Sequence, residues 1–169
     1  MSLIKENKEI LEVAVEASLA ASNIIMEAAH DPQISNFKKS RSDLVTTADI
    51  ESEKIIKLFI AKNFPKHNIL AEESYIKDNS SDYLWVIDPL DGTTNFVHGY
   101  PSFSVSIGVY YKNQPIAAVV LAMPHFKLYT ATINSGAWCE GEKIKSSKTN
   151  KLKDSLLVTG SGYQHGDLW

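Results

Sequence analysis

A single cysteine, Cys139, among 169 residues rules out an intrachain disulfide and any zinc site built from several cysteines. A reducing, cytoplasmic compartment is therefore the expectation. Long apolar runs are also missing: no stretch approaches the roughly eighteen residues needed to span a bilayer, and no membrane partner is expected. Lys5, Glu6, Lys8, Glu9, Glu12 and Glu16 interrupt the region where a secretory signal would need continuous apolar sequence. Positive charge is in slight deficit, with 17 Lys and Arg against 20 Asp and Glu for a net charge of -3. Such a balance offers no general attraction to nucleic acid, and no nucleic-acid partner is expected. The lysines spread from Lys143 to Lys153 read as a solvated surface.

What is present suits one soluble domain with a real core: 44% hydrophobic and 22% charged residues, in a chain of ordinary domain length. Ile10, Ala14, Ala17, Ala21, Ile24 and Ala28 recur at the helical period, which predicts a helix with a narrow, alanine-rich face. Asp31-Pro32 supplies its stop. A second helix is expected from near Thr46 to about Asn63, burying Ser52, Ile55, Ile56, Phe59 and Ile60 and ended by Pro65. The polar segment Phe37 to Asp43 between them reads as a mobile loop. Short apolar runs then predict strands at Asn68 to Ala71, Tyr83 to Ile87, Ser102 to Tyr111, Ile116 to Met123, Phe126 to Ile133 and Ser155 to Thr159. Turn residues at Lys112-Asn113-Gln114-Pro115, Pro124-His125 and Asn134-Ser135-Gly136 join several of these at hairpin distance, which requires antiparallel pairing. The expected class is α+β, an N-terminal helix pair packed on an antiparallel sheet.

Chemistry concentrates in Trp85-Val86-Ile87-Asp88-Pro89-Leu90-Asp91-Gly92-Thr93-Thr94-Asn95-Phe96. An apolar strand runs into Asp88, and Asp91 follows three residues later. Two carboxylates held close at a strand end repel one another and require protons or a cation. The candidate ligands are all oxygens, which favours Mg²⁺, with Mn²⁺ as the alternative, over zinc or copper. Mg²⁺ commonly combines one or two carboxylates with phosphate oxygens. Gly92-Thr93-Thr94 at a helix start would present N–H groups to such an anion, with the helix dipole in support. The same dipeptides also make ordinary turns, however. An EF-hand is excluded because its alternating ligands are absent, and a haloacid-dehalogenase site because its aspartates stand two apart. Ala71-Glu72-Glu73-Ser74 forms a second acidic cluster, in itself equally readable as a solvated turn. Thr46-Thr47-Ala48-Asp49 reads either as a capping box or as part of a site.

Together these pieces resemble the inositol monophosphatase family of lithium-sensitive, metal-dependent phosphatases. Leu44-Val45-Thr46-Thr47-Ala48-Asp49, Ala71-Glu72-Glu73-Ser74 and Trp85 through Gly99 stand in family order, and Gly136-Ala137-Trp138 and Ser155 through Thr159 extend the likeness along the chain. The resemblance implies that Glu72, Asp88, Asp91 and the carbonyl of Leu90 bind metal, that Gly92 and Thr93 hold the substrate phosphate through backbone N–H groups, and that Asp91 also contributes to substrate binding. It also implies that Thr93 and Asp49, with help from Glu72, orient and deprotonate an attacking water. Glu73 would support that site and Lys38 would lie in a loop near it. The implied partner is a small phosphate monoester, inositol monophosphate first; fructose bisphosphate, histidinol phosphate and 3'-phosphonucleotides are the other substrates in view. A non-catalytic regulatory module of the same fold is the competing reading. A homodimer is expected by the same resemblance. Residues 1–169 would form the N-terminal α+β part of a catalytic domain with the layered αβαβα sugar-phosphatase fold. Members usually continue further, supplying another metal-binding aspartate in a Trp-Asp motif, so one sheet face should lack its cover and favour association.

Overall fold

The structure, a computed structural model, describes residues 3–37, 44–71, 75–76 and 81–158, with backbone alone for 3–5, 36–37 and 75–76. Helix α1 spans Leu3–Ala28, a stretch without glycine or proline. Its buried stripe is Ile10, Val13, Ala14, Ala17, Ala21 and Ile25. Ile25 replaces the expected Ile24 because the stripe turns slightly as the helix proceeds. Ser18 and Ser22 are also buried, and each hydroxyl donates to a carbonyl of its own helix, Val15 and Leu19 respectively, at 2.8 Å. Small side chains on this face let helix α2, Thr47–Asn63, approach closely enough for the Ser52 hydroxyl to reach the Ala21 carbonyl at 3.5 Å. The α2 stripe agrees in Ser52, Ile56 and Ile60, while Ile55 and Phe59 are only half-buried. No helix among the described residues is long and apolar enough to cross a membrane.

Ten strands follow or flank these helices: β1 Ile34–Phe37, β2 Leu44–Thr46, β3 Asn68–Ala71, β4 Tyr75–Ile76, β5 Tyr83–Asp91, β6 Phe103–Tyr111, β7 Gln114–Met123, β8 Lys127–Thr132, β9 Gly136–Cys139 and β10 Glu142–Ile144. A short helix α3, Thr93–Val97, sits between β5 and β6. Strands β1 and β2 pair with each other, and the rest form one sheet in the order β10-β9-β8-β7-β6-β5-β3-β4. Every hairpin predicted from turn residues is antiparallel.

The sheet is antiparallel, as expected, except at β3, which runs parallel to β5. Strand β4 pairs antiparallel on the far side of β3, so that β3 lies between β4 and β5 in the sheet. Turn signals could not reveal this, because strand neighbours here are not sequence neighbours. The expected strand from Ser155 fails: residues 155–158 are exposed and have no strand partner among the described residues, Leu156 at 96%, and Thr159 lies outside the described residues. Phe37 ends β1 rather than opening a loop, and 38–43 lie outside the described residues. The Lys143 to Lys153 surface is exposed as expected.

The core lies between the two long helices and one sheet face. Trp85 and Ile87 of β5, Val105, Ile107 and Val109 of β6, and Val119 and Leu121 of β7 all point into it. The alternate residues form rows on the other face: Val86, Gly108 and Ala118; then Asp88, Ser106 and Val120; then Asp91, Ser104 and Ala122. Val120 on that face is 36% exposed.

Trp85, fully buried, donates its indole N–H to His67 Nδ1 at 3.0 Å. The His67 ring is stacked between Phe64 and Tyr83, with centroids 4.8 and 4.2 Å away. Accepting from the indole requires an unprotonated Nδ1. Burial pushes the His67 pKa below 6.5, opposed in part by the Glu6 carboxylate. The unfolded chain therefore takes up this proton first, so the contribution is complete above pH 6.5 and is lost as pH falls through 6.5 towards the folded value. Between about pH 7.5 and 5.5 the urea midpoint of the wild type is expected to fall more than that of His67→Gln. Equal falls would refute the assignment.

Candidate active site

In a regular strand, residues three apart face opposite sides of the sheet. Asp88 and Asp91 would then be separated by the sheet itself. They are not, because β5 bulges between them: Asp88 pairs with Ser106 and Asp91 with Ser104, so three steps on one strand match two on its neighbour. Pro89, which has no N–H to give to a ladder, sits inside the bulge. Both aspartates consequently share the face turned away from the helices, while Leu90 between them is fully buried in the core. Asp88 is half-buried, with Oδ1 shielded from solvent, and Asp91 is exposed. The Ser104 hydroxyl lies 3.5 Å from Asp91 Oδ2. Sequence reasoning missed the serines; the signal was the polar phase of β6, Ser104 and Ser106, opposite an acidic strand end.

The chain leaves β5 through Gly92, whose φ of 90° is readily adopted only by glycine. A Cβ there would stand 3.0 Å from the Ser102 carbonyl oxygen and 3.3 Å from Phe103 Cα. This turn starts α3, and the Thr93 hydroxyl folds back to lie 3.0 Å from the Leu90 carbonyl oxygen and 2.9 Å from Asp49 Oδ1. The anticipated helix start is present, but five residues make little more than one turn. Any anion at this point would depend on the N–H groups themselves, with little from a macrodipole.

Asp49 comes from α2 and is 1% exposed. Its two oxygens do different work. Oδ2 accepts from the Thr46 backbone N–H at 2.8 Å and from the Thr46 hydroxyl, which completes a capping box at the start of α2. Oδ1 accepts from Thr93, 44 positions away in sequence. The two sequence readings of this residue, cap or site member, are thus geometrically compatible. Burial raises the Asp49 pKa, offset by the hydrogen bonds from Thr46 and Thr93. A hydroxyl has one hydrogen, so when Thr93 donates it to Asp49, a lone pair remains free to accept from a third group.

Glu72, Glu73 and Lys38 lie outside the described residues. Among the described residues no three of His, Cys, Asp or Glu gather as a metal cluster. The candidate donors among the described residues, the Asp88 and Asp91 carboxylates on one sheet face and the Leu90 carbonyl between them in the chain, are all hard oxygens, a set that fits Mg²⁺. Beside Asp91 and Gly92 opens a cleft of about 400 Å³, with Asn95, Ser104, His125 and Lys127 on its walls.

Residues 6–169 match the inositol monophosphatase family, and the chain belongs to that family. It is 47% identical over 167 residues to a phosphatase of Arabidopsis thaliana, IMPL1, chloroplastic, with 95% of this chain and 45% of that protein covered. An inositol monophosphatase structure from Anabaena (Nostoc) sp. PCC 7120 superposes with a TM-score of 0.79 at 38% identity, covering 92% of this chain and 56% of that one. A structure of IMPase/NADP phosphatase complexed with Mg²⁺ and phosphate superposes with a TM-score of 0.79 at 30% identity, over 88% and 57% of the respective chains. The chain spans about half the length of these relatives.

Two stability predictions follow from the local geometry. Thr46→Ala should cost about 1 kcal/mol as a lost cap, and Asp49→Ala more, roughly 1–3 kcal/mol, because the buried Thr46 N–H loses its acceptor; urea denaturation measures both. Gly92→Ala should cost roughly 1–3 kcal/mol through backbone strain and crowding. Gly99→Ala, also at positive φ but with open space around its Cβ, should cost only about 1 kcal/mol. If the two alanine variants unfold together, the close approach at Gly92 is not limiting.

Proposed function

We propose that this chain carries the metal- and phosphate-binding part of a Mg²⁺-dependent phosphate-monoester hydrolase, with inositol monophosphate as the first substrate to test. Residues 1–169 are then the N-terminal α+β part of the catalytic domain. The observation that carries the reading is the bulge that brings Asp88 and Asp91 to one face beside Gly92 and Thr93, with Thr93 hydrogen-bonded to Asp49. Asp88, Asp91 and the Leu90 carbonyl, together with Glu72, would hold Mg²⁺. When bound, the ion would supply Lewis-acid polarisation of phosphate and neutralise charge developing on the oxygens of an in-line displacement.

The remaining tasks belong to the protein. Backbone N–H groups of Gly92 and Thr93 bind phosphate oxygens, which fixes the phosphorus relative to the attacking water. Thr93, having donated its hydrogen to Asp49, accepts from that water and aims its lone pair at phosphorus. As the new P–O bond forms, a water proton passes to the Thr93 oxygen while the hydroxyl proton moves on to Asp49. The bond to the alcohol oxygen breaks, and that oxygen leaves with a proton from solvent. No covalent phosphoenzyme is needed, since water is the nucleophile throughout.

Phosphate release from inositol 1-phosphate, with Mg²⁺ and with EDTA, tests the reading in the protein that carries this chain. Activity should vanish on metal removal and return with Mg²⁺, and Asp88→Asn should lower turnover by roughly a hundredfold or more with circular dichroism unchanged. Unaltered turnover in the variant would remove Asp88 from the site. Inertness of the wild type towards a panel of phosphate monoesters, including fructose bisphosphate, histidinol phosphate and a 3'-phosphonucleotide, would favour the regulatory reading instead.

A further inference from the structure

A larger cleft, about 870 Å³, lies at the opposite end of β5 from Asp88 and Asp91. Its size is that of a small-molecule site. The first turns of α1 form one side, and the β6–β7 turn and the end of β8 form the other. Leu11, Tyr83, Tyr111, Ile116 and Ile133 supply an apolar wall. Tyr83 is fixed on both sides: His67 stacks on its ring at 4.2 Å, and Tyr111 packs at 4.6 Å with a 38° tilt. Its hydroxyl is hydrogen-bonded to Glu6. Rigid rings of this kind favour another ring by offset or edge contact.

Among the described residues the charged groups lining the cleft are Lys8 and Lys112, and no carboxylate lines it; Glu6, engaged by Tyr83, stands outside the lining. Both lysines are available. Lys8 pairs with Glu12 at 3.6 Å and Lys112 with Asp82 at 3.6 Å, all four side chains more than half exposed, and such pairs hold their partners only weakly. Lys112 Nζ also lies 5.2 Å from the centre of the Tyr111 ring, so a cation already stands at the edge of the apolar wall. Burial and the Glu6 contact push the Tyr83 hydroxyl up to about 12, so the wall adds no negative charge at neutral pH.

We propose that this cleft binds a small aromatic anion, its ring against Tyr83, Tyr111, Leu11 and Ile116 and its carboxylate or phosphate between Lys8 and Lys112. The site is separate from the aspartate site, so an occupant would not compete with substrate phosphate.

The probe is 2-naphthoate, titrated into the isotopically labelled full chain and followed by NMR, with the neutral 2-naphthalenemethanol as control. Expected are saturable shifts at Leu11, Tyr83, Tyr111, Ile116 and Ile133, no displacement by inorganic phosphate, and weaker binding of the alcohol. The double variant Lys8→Gln, Lys112→Gln, altered only at exposed lysines, should lose roughly tenfold or more in naphthoate affinity and leave alcohol binding unchanged. The proposal is overturned by absence of saturable binding, by equal affinity for acid and alcohol, or by indifference to the lysine changes. Shifts centred on Asp91, Gly92 and Ser104, or displacement by phosphate, would likewise overturn it by placing the anion at the other site.

Discussion

A single extra residue in one strand organises this molecule. Strand β5 must bury Trp85, Ile87 and Leu90 against the helices, and it must also bring Asp88 and Asp91 to the other face. Regular pleating forbids both, since Leu90 and Asp88 would share a phase. The bulge at Pro89 resolves the conflict: below it the core phase is odd-numbered, and above it the core phase is even-numbered. Charge is thereby kept out of the core without breaking the strand's contact with β6.

Around that bulge the sheet face carries small side chains. Gly108, Ser106 and Ser104 on β6, and Ala118 and Ala122 on β7, lie in the same rows as the β5 residues of that face. Their size leaves room over the aspartates, whereas the opposite face is filled by branched and aromatic groups. One strand therefore separates a dry, densely packed side from a polar, open one. The Gly92 turn continues this division, because its positive φ and close approach to Ser102 direct the chain sharply into α3 and bring Thr93 back towards α2.

Asp49 ties the two halves of the site together. A carboxylate with only 1% exposure is costly to hold in its charged form unless its oxygens are well supplied with donors. Thr46 engages one oxygen and Thr93 the other, so the cap of α2 and the turn after β5 are joined through one side chain. A helix start is a rigid element, and a group placed on it is positioned more accurately than one on a loop.

The sequence by itself determined the kinds of element and the chemistry available. Alanine and isoleucine spacing revealed both long helices, alternation revealed β6, turn residues revealed the hairpins, and the aspartates with Gly92 and Thr93 revealed family membership. These signals are local, carried by residues a few positions apart. Only the tertiary structure decided that Asp88 and Asp91 share a face, that β3 runs parallel to β5, that Asp49 meets Thr93, and that residues 155–158 have no strand partner among the described residues. Each of these depends on pairing between distant segments, where competing registers are separated by packing and hydrogen bonding across the whole sheet, and no local pattern records which register wins.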